Sequence, residues 1–266
     1  MSPLWQLLLS NLLLVLLVLT ILWIVSVVRR DASIIDPFWG LGFVLVIWNS
    51  VWRCAAPEPR VWLLAGLTTA WGLRLSLFLG WRNWGHGEDR RYAAMRAAHG
   101  RRFWWWSLFS VFFLQGVILW FVALPLQIAT AENAANPLGW LDLAGFGIWL
   151  GGFAFETVGD WQLARFKADP RNAGKVLDRG LWRLTRHPNY FGDFCVWWGL
   201  YLIALSGGAA WTVGSPLVMS ILLMKVSGVT LLEQTIVDRR PEYAAYQART
   251  SAFFPALPRS GRRQHP

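Results

Sequence analysis

The sequence predicts an all-α protein that crosses a membrane seven times, with its N-terminus outside and its C-terminus in the cytoplasm. Hydrophobic residues make up 55% of the 266 residues and charged residues only 15%, whereas an ordinary soluble domain has roughly 25% charged residues. Several stretches reach the ~20 apolar residues that a membrane-spanning helix needs. The net charge of +10 is concentrated in alternate loops. These observations exclude a disordered chain and a soluble nucleic-acid-binding protein.

The predicted spans are apolar stretches without the alternation of polar and apolar residues that a membrane β-barrel would show. The first span carries no charge, the third contains Arg74, and the fifth has Asp142 near one end and Glu156 near the other. In chain order, we expect the seven spans to cover residues 4–28, 37–52, 61–81, 103–130, 137–159, 189–206 and 211–232.

Lysine and arginine residues determine the predicted orientation. With the N-terminus outside, 21 of the 25 basic residues fall in inside segments 29–36, 82–102, 160–188 and 233–266, and two, Arg53 and Arg60, fall in an outside loop. Such an asymmetry follows the positive-inside rule. We therefore expect an integral multi-pass protein. Cys54 and Cys195 fall near opposite membrane faces, so we expect neither a disulfide nor a metal site.

The inside loop 82–102 begins with the sequence RNWGHGEDRRY, which mixes hydrogen-bond donors and acceptors around two glycines. Arg82 and Asn83 open this stretch, and Glu88, Asp89 and Tyr92 close it. This mixture suits a ligand with phosphates and hydroxyls. The alternative is a solvated loop that only follows the positive-inside rule.

The end of the fifth span carries two acidic residues in a predicted membrane helix. Glu156 and Asp160 are four residues apart and therefore share one helical face, which Lys167 continues. An acidic side chain at membrane depth is a functional candidate because its burial is costly. The alternative is an internal ion pair of Asp160 with Arg165 or Lys167.

The segment LTRHPNYFGD, residues 184–193, favours an anion site at the start of the sixth span. Pro188 suits the first turn of a helix, and Arg186 precedes a helix N-terminus with free N–H groups. Asn189 and Asp193 share the next face of that helix. The alternative is that Arg186 and His187 anchor the helix at the membrane interface.

These motifs together resemble the steroid 5-alpha-reductase superfamily, and within it the bacterial branch labelled DUF1295. The resemblance rests on LTRHPNYFGD, the following apolar span, Glu233 and the segment RRPEYAAYQARTSAFFP. It also includes the pattern D-x-x-W-G-x-G at residues 36–42 and R-N-x-G-x-x-E-D-x-R-Y at residues 82–92. It extends from about residue 30 to residue 257 and is most specific in the C-terminal half.

The resemblance implies a seven-helix bundle in the bacterial inner membrane that binds NADPH on its cytoplasmic side. Residues 1–136 would enclose an apolar substrate, residues 137–257 would form the NADPH site, and residues 258–266 would be a basic tail. The residues expected to contact the cofactor are Arg82, Asn83, Glu88, Asp89, Asp160, Lys167, Arg171, Lys175, Arg186, His187, Asn189, Tyr190, Asp193 and Glu233.

The reaction implied by the resemblance is the NADPH-dependent reduction of an activated C=C bond in a 3-oxo-Δ4 steroid-like lipid. We expect the ketone oxygen to receive a hydrogen bond from Asp36, kept protonated by burial, or from Tyr92. Trp39, Trp48 and Trp71 are expected to line the apolar substrate pocket, with simple helix packing as the alternative. The expected partners are this substrate and membrane lipid, and we expect a monomer that binds no nucleic acid.

Two other function classes stay open. The Arg-His-Pro-x-Tyr-x-Gly pattern also resembles membrane methyltransferases of the isoprenylcysteine carboxyl methyltransferase type, which bind S-adenosylmethionine. Those enzymes carry paired glutamates after the last span, whereas this sequence has Glu233 followed by Gln234. The third possibility is a non-catalytic lipid-binding or assembly protein, which would bind no nucleotide.

Overall fold

The computed structural model describes residues 2–226 and 242–258. Within these ranges every regular element is helical, and strand-like pairing is limited to one isolated bridge between Thr185 and Ser251. The chain divides into two compact units. The first contains the described parts of Met1–Asp142 and Leu200–Ser215, and the second those of Leu143–Gly199 and Pro216–Pro266. The all-helical prediction is therefore confirmed for the described part of the chain.

The first three helices match the first three predicted spans. They are α1 (Pro3–Arg29), α2 (Ile35–Arg53) and α3 (Pro59–Asn83). A proline begins α1 and α3, where its missing N–H costs no intrahelical hydrogen bond. Helix α1 ends at Arg30, which adopts a left-handed backbone conformation.

The predicted span 103–130 is a broken series of helices rather than one regular helix. It follows α4 (Arg90–His99) and consists of α5 (Phe103–Ser107), a π-helical stretch (Leu108–Phe113), α6 (Leu114–Val122) and α7 (Leu124–Glu132). The break precedes Pro125, which has no N–H to continue the ladder of helical hydrogen bonds. The side chain of Gln127 bridges the break, because its Nε2 donates to the carbonyl of Trp120 at 2.9 Å.

The remaining helices extend or shorten the predicted spans. Helix α8 (Trp140–Ala168) continues well beyond the predicted end at residue 159, and α9 (Pro188–Ser206) begins at the predicted proline. Helix α10 (Gly214–Ile221) passes into a π-helical stretch, Leu222–Val226. The rest of the predicted span 211–232 lies outside the described residues. Helix α11 covers Glu242–Arg249.

Five helical stretches in the described ranges are long and apolar enough to cross a membrane. They are Pro3–Arg29, Ala32–Arg53, Pro59–Asn83, Arg90–Val122 and Trp140–Ala168, and a shorter apolar helix covers Ala210–Lys225. These helices fit an integral multi-pass membrane protein. The number of seven spans and the orientation of the termini stay predictions.

In the first unit, α2 and α3 pack through two glycines. A Cβ atom at Gly40 would lie 2.3 Å from the carbonyl oxygen of Gly72, and a Cβ at Gly72 would lie 2.6 Å from that of Gly40. The Ser76 hydroxyl also accepts a hydrogen bond from the N–H of Leu41 at 2.9 Å. Gly40 in the D-x-x-W-G-x-G pattern is thus needed for a close approach of two helix backbones.

A buried ion pair also stabilises the first unit. Arg60, at the start of α3, donates to Asp142 through its Nε at 2.8 Å and its Nη2 at 3.0 Å, and both side chains are almost fully buried. Asp142 also accepts hydrogen bonds from the Gly139 N–H and the Ser206 hydroxyl. Arg60, which was expected in an outside loop, therefore belongs to the interior of this unit.

In the second unit, α8 and α9 pack at a glycine of the LTRHPNYFGD segment. A Cβ atom at Gly192 would lie 2.4 Å from the backbone nitrogen of Glu156 and 2.5 Å from the carbonyl oxygen of Gly152. This close approach brings the polar face of α9 directly against the acidic face of α8.

Candidate functional site

The first cluster of candidate residues surrounds the carboxylate of Asp36 at the start of α2. The Tyr92 hydroxyl donates to Asp36 Oδ1 at 2.7 Å, and Arg91 Nη2 donates to Oδ2 at 3.0 Å. Gln115 Nε2 donates in turn to the Tyr92 hydroxyl at 3.4 Å. Asp36 and Tyr92, which were predicted from two separate sequence patterns, are therefore in direct contact.

These contacts give the direction of the hydrogen bond between the two groups. Both oxygens of Asp36 accept hydrogen bonds, and the guanidinium of Arg91 favours the ionised carboxylate. These contacts leave the expectation that burial keeps Asp36 protonated as a prediction. The Tyr92 hydroxyl is the group of the pair that donates.

In the E-D-x-R-Y pattern, two carboxylates hold the start of the helix that carries Arg91 and Tyr92. Glu88 accepts hydrogen bonds from the Ala32 N–H and from two nitrogens of Arg96, each at 2.8 Å. Asp89 caps α4 by accepting from the Arg91 N–H at 2.9 Å. Both carboxylates, expected to contact a cofactor, therefore bind protein groups and anchor the start of α4.

The pKa values of these two carboxylates reflect the same contacts. Burial raises the pKa of Glu88, but hydrogen bonds from Arg96 and the Ala32 N–H lower this pKa by more, so that it falls below its usual value. Burial also raises the pKa of Asp89, and hydrogen bonds from the backbone and side chain of Arg91 bring it below the ordinary value. Both groups are therefore charged at neutral pH.

Arg82 and Asn83 lie at the end of α3, where the charge of Arg82 interacts with the carboxylates of Asp36 and Asp89. Arg82 Nε donates to Asn83 Oδ1 at 3.1 Å, and the Arg82 side chain is exposed. An exposed guanidinium there can contact an anionic ligand, so their expected role as cofactor contacts stays a prediction.

The three tryptophans predicted to line a substrate pocket fall into different environments. Trp39 packs edge-on against Phe43, which packs against Trp71, with ring centroids 5.6 Å and 5.7 Å apart. Trp71 is fully buried, as helix packing would require. Trp48 is 43% exposed and donates from Nε1 to Thr69 Oγ1 at 2.9 Å. It lies nine residues after Trp39 and hence about 180° around the helix, so it does not share the face of Trp39.

The second cluster of candidate residues lies between α8 and α9 in the second unit. Asn189 Nδ2 donates to Asp160 Oδ1 at 3.1 Å. This hydrogen bond joins the acidic face predicted for α8 to the face of α9 that carries Asn189. Glu156 and Asp193 are also buried near this contact, on either side of Gly192. Four polar residues expected at membrane depth therefore lie in one region of this unit: Glu156, Asp160, Asn189 and Asp193.

Arg186 and His187 have contacts within the protein that the sequence did not indicate. The Arg186 guanidinium donates to the carbonyls of Gln247 at 3.1 Å and Thr250 at 2.6 Å, so it binds the C-terminal end of α11. The His187 ring is buried and stacks on Tyr190, with centroids 5.6 Å apart. Arg186 thus anchors the C-terminal segment, and its expected contact with an anionic ligand would compete with these bonds.

A cleft of about 710 Å³ lies beside the last turns of α8. Arg165, Arg171 and Arg179 line it together with Trp161 and other residues of segments 161–172 and 177–180. The Arg165 guanidinium lies 5.4 Å from the centroid of the Trp161 ring. This concentration of guanidinium groups suits an anionic ligand.

Three cations among the predicted cofactor contacts lie in different positions. Arg171 lines this arginine-lined cleft but is bound to Asp169 through Nη2 at 2.9 Å. Lys167 and Lys175 are exposed and are not among the lining residues. Arg165 and Arg179 were missed, although the i, i+4 spacing of Trp161 and Arg165 indicates a shared helix face.

Two further site residues were not predicted, and one predicted residue lies outside the described part of the chain. Gln115 is the polar residue of the otherwise apolar stretch 111–126. This isolated polar side chain was the signal in the sequence for its contact with Tyr92. Arg91 was passed over between two selected positions, although the pattern R-Y includes it. Glu233, expected to contact the cofactor, lies outside the described residues.

The fold and the two clusters define a helical, multi-pass membrane protein with buried polar sites near helix ends. The sequence of residues 22–250 matches the family described as "Protein of unknown function (DUF1295)", and the chain belongs to this family. The family is part of the steroid 5-alpha-reductase-like superfamily, whose members are oxidoreductases. The resemblance that the sequence suggested is therefore confirmed at the level of the family.

The chain is also similar to "Uncharacterized protein C594.04c" of Schizosaccharomyces pombe. The two sequences are 26% identical over 269 residues, which covers 89% of this chain and 76% of the yeast protein. No solved structure matches the chain.

Proposed function

We propose that this protein is an NADPH-dependent membrane reductase that adds hydride to the activated C=C bond of a 3-oxo-Δ4 steroid-like lipid. The contact between Asp36 and Tyr92 carries the proposal, because it joins two sequence patterns at one proton-donating group. Membership of a superfamily of oxidoreductases supports it. A cofactor site that faces the cytoplasm, and a monomer in the bacterial inner membrane, belong to the same proposal.

The residues of the second unit fit a dinucleotide cofactor. Asn189 and Asp160 offer donors and acceptors for ribose hydroxyls or a carboxamide. Arg165 and Arg179 line the arginine-lined cleft that begins next to Asp160 along α8, and guanidinium groups suit phosphates. NADPH, when bound, supplies the hydride.

The protein's own contribution to the reaction is the stabilisation of charge on the substrate. The ketone oxygen of an enone becomes more negative as its β-carbon is reduced, so a hydrogen-bond donor at this oxygen lowers the barrier. We assign this role to the Tyr92 hydroxyl. A ketone oxygen that replaces Asp36 as the acceptor receives this hydrogen bond and then the proton, which gives an enol. The enol becomes the saturated ketone when its α-carbon takes a proton from water and its O–H returns a proton to Tyr92.

Asp36 and Arg91 position the donor and balance its surroundings. The carboxylate of Asp36 fixes the Tyr92 hydroxyl at 2.7 Å in the absence of substrate. Its negative charge would oppose the charge that develops on the ketone oxygen, and the guanidinium of Arg91 offsets it at 3.0 Å. Trp39 follows Asp36 by three residues on the same helix and extends this polar site with an apolar surface.

The experiment that tests this proposal compares two nucleotides on the purified full-length protein. We expect saturable binding of NADPH in an equilibrium titration, and loss of NADPH absorbance when a 3-oxo-Δ4 steroid is added. Binding of S-adenosylmethionine without binding of NADPH would indicate a methyltransferase instead. Failure of both nucleotides to bind would favour a non-catalytic protein.

A pair of tyrosine variants tests the role of the proton donor. Tyr92→Phe should keep NADPH binding and lose enone-dependent oxidation. Tyr201→Phe is the matched control, because Tyr201 is also buried in the first unit and donates one hydrogen bond, to the Ala210 carbonyl at 3.0 Å. Equal activity of the two variants would show that Tyr92 is not the donor.

A further inference from the structure

A second cleft, of about 850 Å³, lies at the other end of α2 from Asp36. Its walls are the start of α1, the end of α2 with the following loop, and the end of α7. Asp36 and Arg53 are 17 residues apart on α2, which separates the two sites by about 25 Å along the helix. This cleft, which we call the distal cleft, is therefore independent of the proposed reductase site.

The distal cleft has a fixed polar floor. Asn49 Nδ2 donates to Asn11 Oδ1 at 2.7 Å, and Asn11 Nδ2 donates to Ser50 Oγ at 2.9 Å and to Gln127 Oε1 at 3.0 Å. Asn11, Ser50 and Gln127 are buried, and Asn49 and Ser50 line the cleft. Within residues 2–226 and 242–258, the Oδ1 atom of Asn49 accepts no hydrogen bond, so it is available to a donor on a ligand.

The rim of the distal cleft is also held in place. Asn133, which follows α7, donates from Nδ2 to the Ala56 carbonyl at 2.9 Å and accepts from the Glu58 N–H at 2.9 Å. These two bonds fasten the loop after α2 to the end of α7. The distal cleft is therefore built by specific contacts and is of the size typical of ligand sites, roughly 300–1,000 Å³.

Two opposite charges line the distal cleft from different helices. Arg53 follows Asn49 by four residues on α2 and so shares its face, and Glu132 ends α7. In the described part of the chain, neither Arg53 nor Glu132 makes an ion pair or a side-chain hydrogen bond. A ligand that carries both an anionic and a cationic group complements them.

The position of the distal cleft indicates where its ligand comes from. It lies where α1 begins and α2 ends, which are the ends of two candidate spans. Trp52 in the cleft wall is 89% exposed, and Trp5 one turn into α1 is also exposed. Tryptophans at span ends are typical of the level of lipid headgroups. A molecule bound there is therefore in contact with the polar part of the bilayer.

We propose that the distal cleft binds a zwitterionic phospholipid whose headgroup carries a phosphate and a primary ammonium. Arg53 binds the phosphate, and Glu132 with Asn49 Oδ1 accepts hydrogen bonds from the ammonium. A quaternary ammonium has no N–H to donate and is bound instead by several aromatic rings, whereas Trp52 is the single aromatic side chain among the described residues that line this cleft. An anionic headgroup without an ammonium would be repelled by Glu132.

Lipid titrations of the purified full-length protein, followed by native mass spectrometry, test this proposal. We expect phosphatidylethanolamine to bind more tightly than phosphatidylcholine or phosphatidylglycerol. Because a charged hydrogen bond contributes about 1.5–3 kcal/mol, Glu132→Gln should weaken phosphatidylethanolamine binding by about tenfold or more and remove its advantage over phosphatidylcholine. Arg53→Gln should weaken all three phospholipids.

Two exposed residues elsewhere provide matched controls. Arg101→Gln and Glu242→Gln make the same charge changes outside the cleft, and both should leave binding of phosphatidylethanolamine unchanged. Arg53 and Glu132 are themselves exposed, so their variants should unfold at the wild-type temperature. Equal binding of the three lipids, or equal effects of the cleft and control variants, would overturn the proposal.

Two further measurements fix the site and the source of the ligand. A phosphatidylethanolamine with a photoreactive headgroup should label peptides that contain residues 49–55 or 130–133, and labelling confined to other peptides would contradict the proposal. Water-soluble glycerophosphoethanolamine should compete only weakly. If it binds as tightly as the lipid, or if a 3-oxo-Δ4 steroid displaces the lipid, the distal cleft is not a phospholipid site.

Discussion

Replacement of Gly192 by alanine tests the contact that joins α8 and α9. A Cβ atom at this position would lie 2.4 Å from the Glu156 backbone nitrogen and 2.5 Å from the Gly152 carbonyl oxygen. Both are backbone atoms, so no side-chain rotation can make room and the helices must move apart. The matched control is Gly147→Ala on α8, because a Cβ at Gly147 meets no atom within 4 Å.

The expected difference between the two variants follows from packing and helix propensity. Overpacking a well-packed contact costs about 1–3 kcal/mol. Alanine in an open helical position is favoured over glycine by about 1 kcal/mol. Gly192 and Gly147 both lie inside helices, so this gain applies to both variants and cancels. The two variants should therefore differ by the overpacking cost of about 1–3 kcal/mol, with Gly192→Ala the less stable protein.

Thermal unfolding in one detergent measures this difference. For a chain of this size about 1 kcal/mol corresponds to 2–4 °C, so the melting temperatures should differ by about 2–12 °C. Circular dichroism of the helical signal is a suitable readout, since every regular element of the described chain is helical. If Gly192→Ala melts at the temperature of Gly147→Ala, the close contact between α8 and α9 does not exist as described.

Three further predictions concern other contacts. Tyr92→Phe should lower enone-dependent NADPH oxidation by about 10²–10⁴-fold, measured by absorbance, and unchanged turnover would exclude Tyr92 as the donor. Arg60→Gln leaves Asp142 buried without a cation and should destabilise the protein by about 3–5 kcal/mol in thermal unfolding; adding Asp142→Asn should restore part of this loss. The lowered pKa of Glu88 stabilises the fold above the ordinary value of 4.5, and this contribution is lost as the pH falls through the folded-state pKa. Glu88→Gln should therefore make the melting temperature less sensitive to acid, and an unchanged pH profile would contradict the contact with Arg96.

The helices were predictable where composition alone decides the structure. Long apolar stretches determined α1, α2 and α3 to within a few residues, because a membrane span is specified by length and hydrophobicity. The proline at position 188 correctly marked the start of α9. The break before Pro125 could also have been predicted, since proline removes a helical hydrogen bond. The outward position of Trp48 likewise follows from its angular distance from Trp39.

The contacts that build the sites were harder to predict because they join distant parts of the chain. Tyr92 and Asp36 are 56 residues apart, and Arg60 and Asp142 are 82 residues apart. Periodicity along one helix indicates which face a residue shares, but not which other helix that face contacts. The binding of Arg186 to the end of α11 is a similar case, because no local pattern distinguishes it from an exposed basic residue.

The same limit applies to the roles of charged residues. Glu88 and Asp89 occur in a loop whose composition suits a ligand, yet their carboxylates bind Arg96 and cap α4. A carboxylate in sequence indicates an acceptor, and only the fold determines whether its donor belongs to the protein. The arginine-lined cleft shows the converse, because Arg165 and Arg179 come together only after α8 extends to Ala168.

Isotope transfer provides the most direct test of the proposed reductase activity. Purified full-length protein should be incubated with NADPH that carries deuterium at C4 of the nicotinamide, together with a 3-oxo-Δ4 steroid. We predict a saturated ketone with one deuterium at the former β-carbon, detected by mass spectrometry and NMR, and no such product from Tyr92→Phe. Recovery of the enone unchanged, from protein shown to bind NADPH, would contradict the proposed reduction.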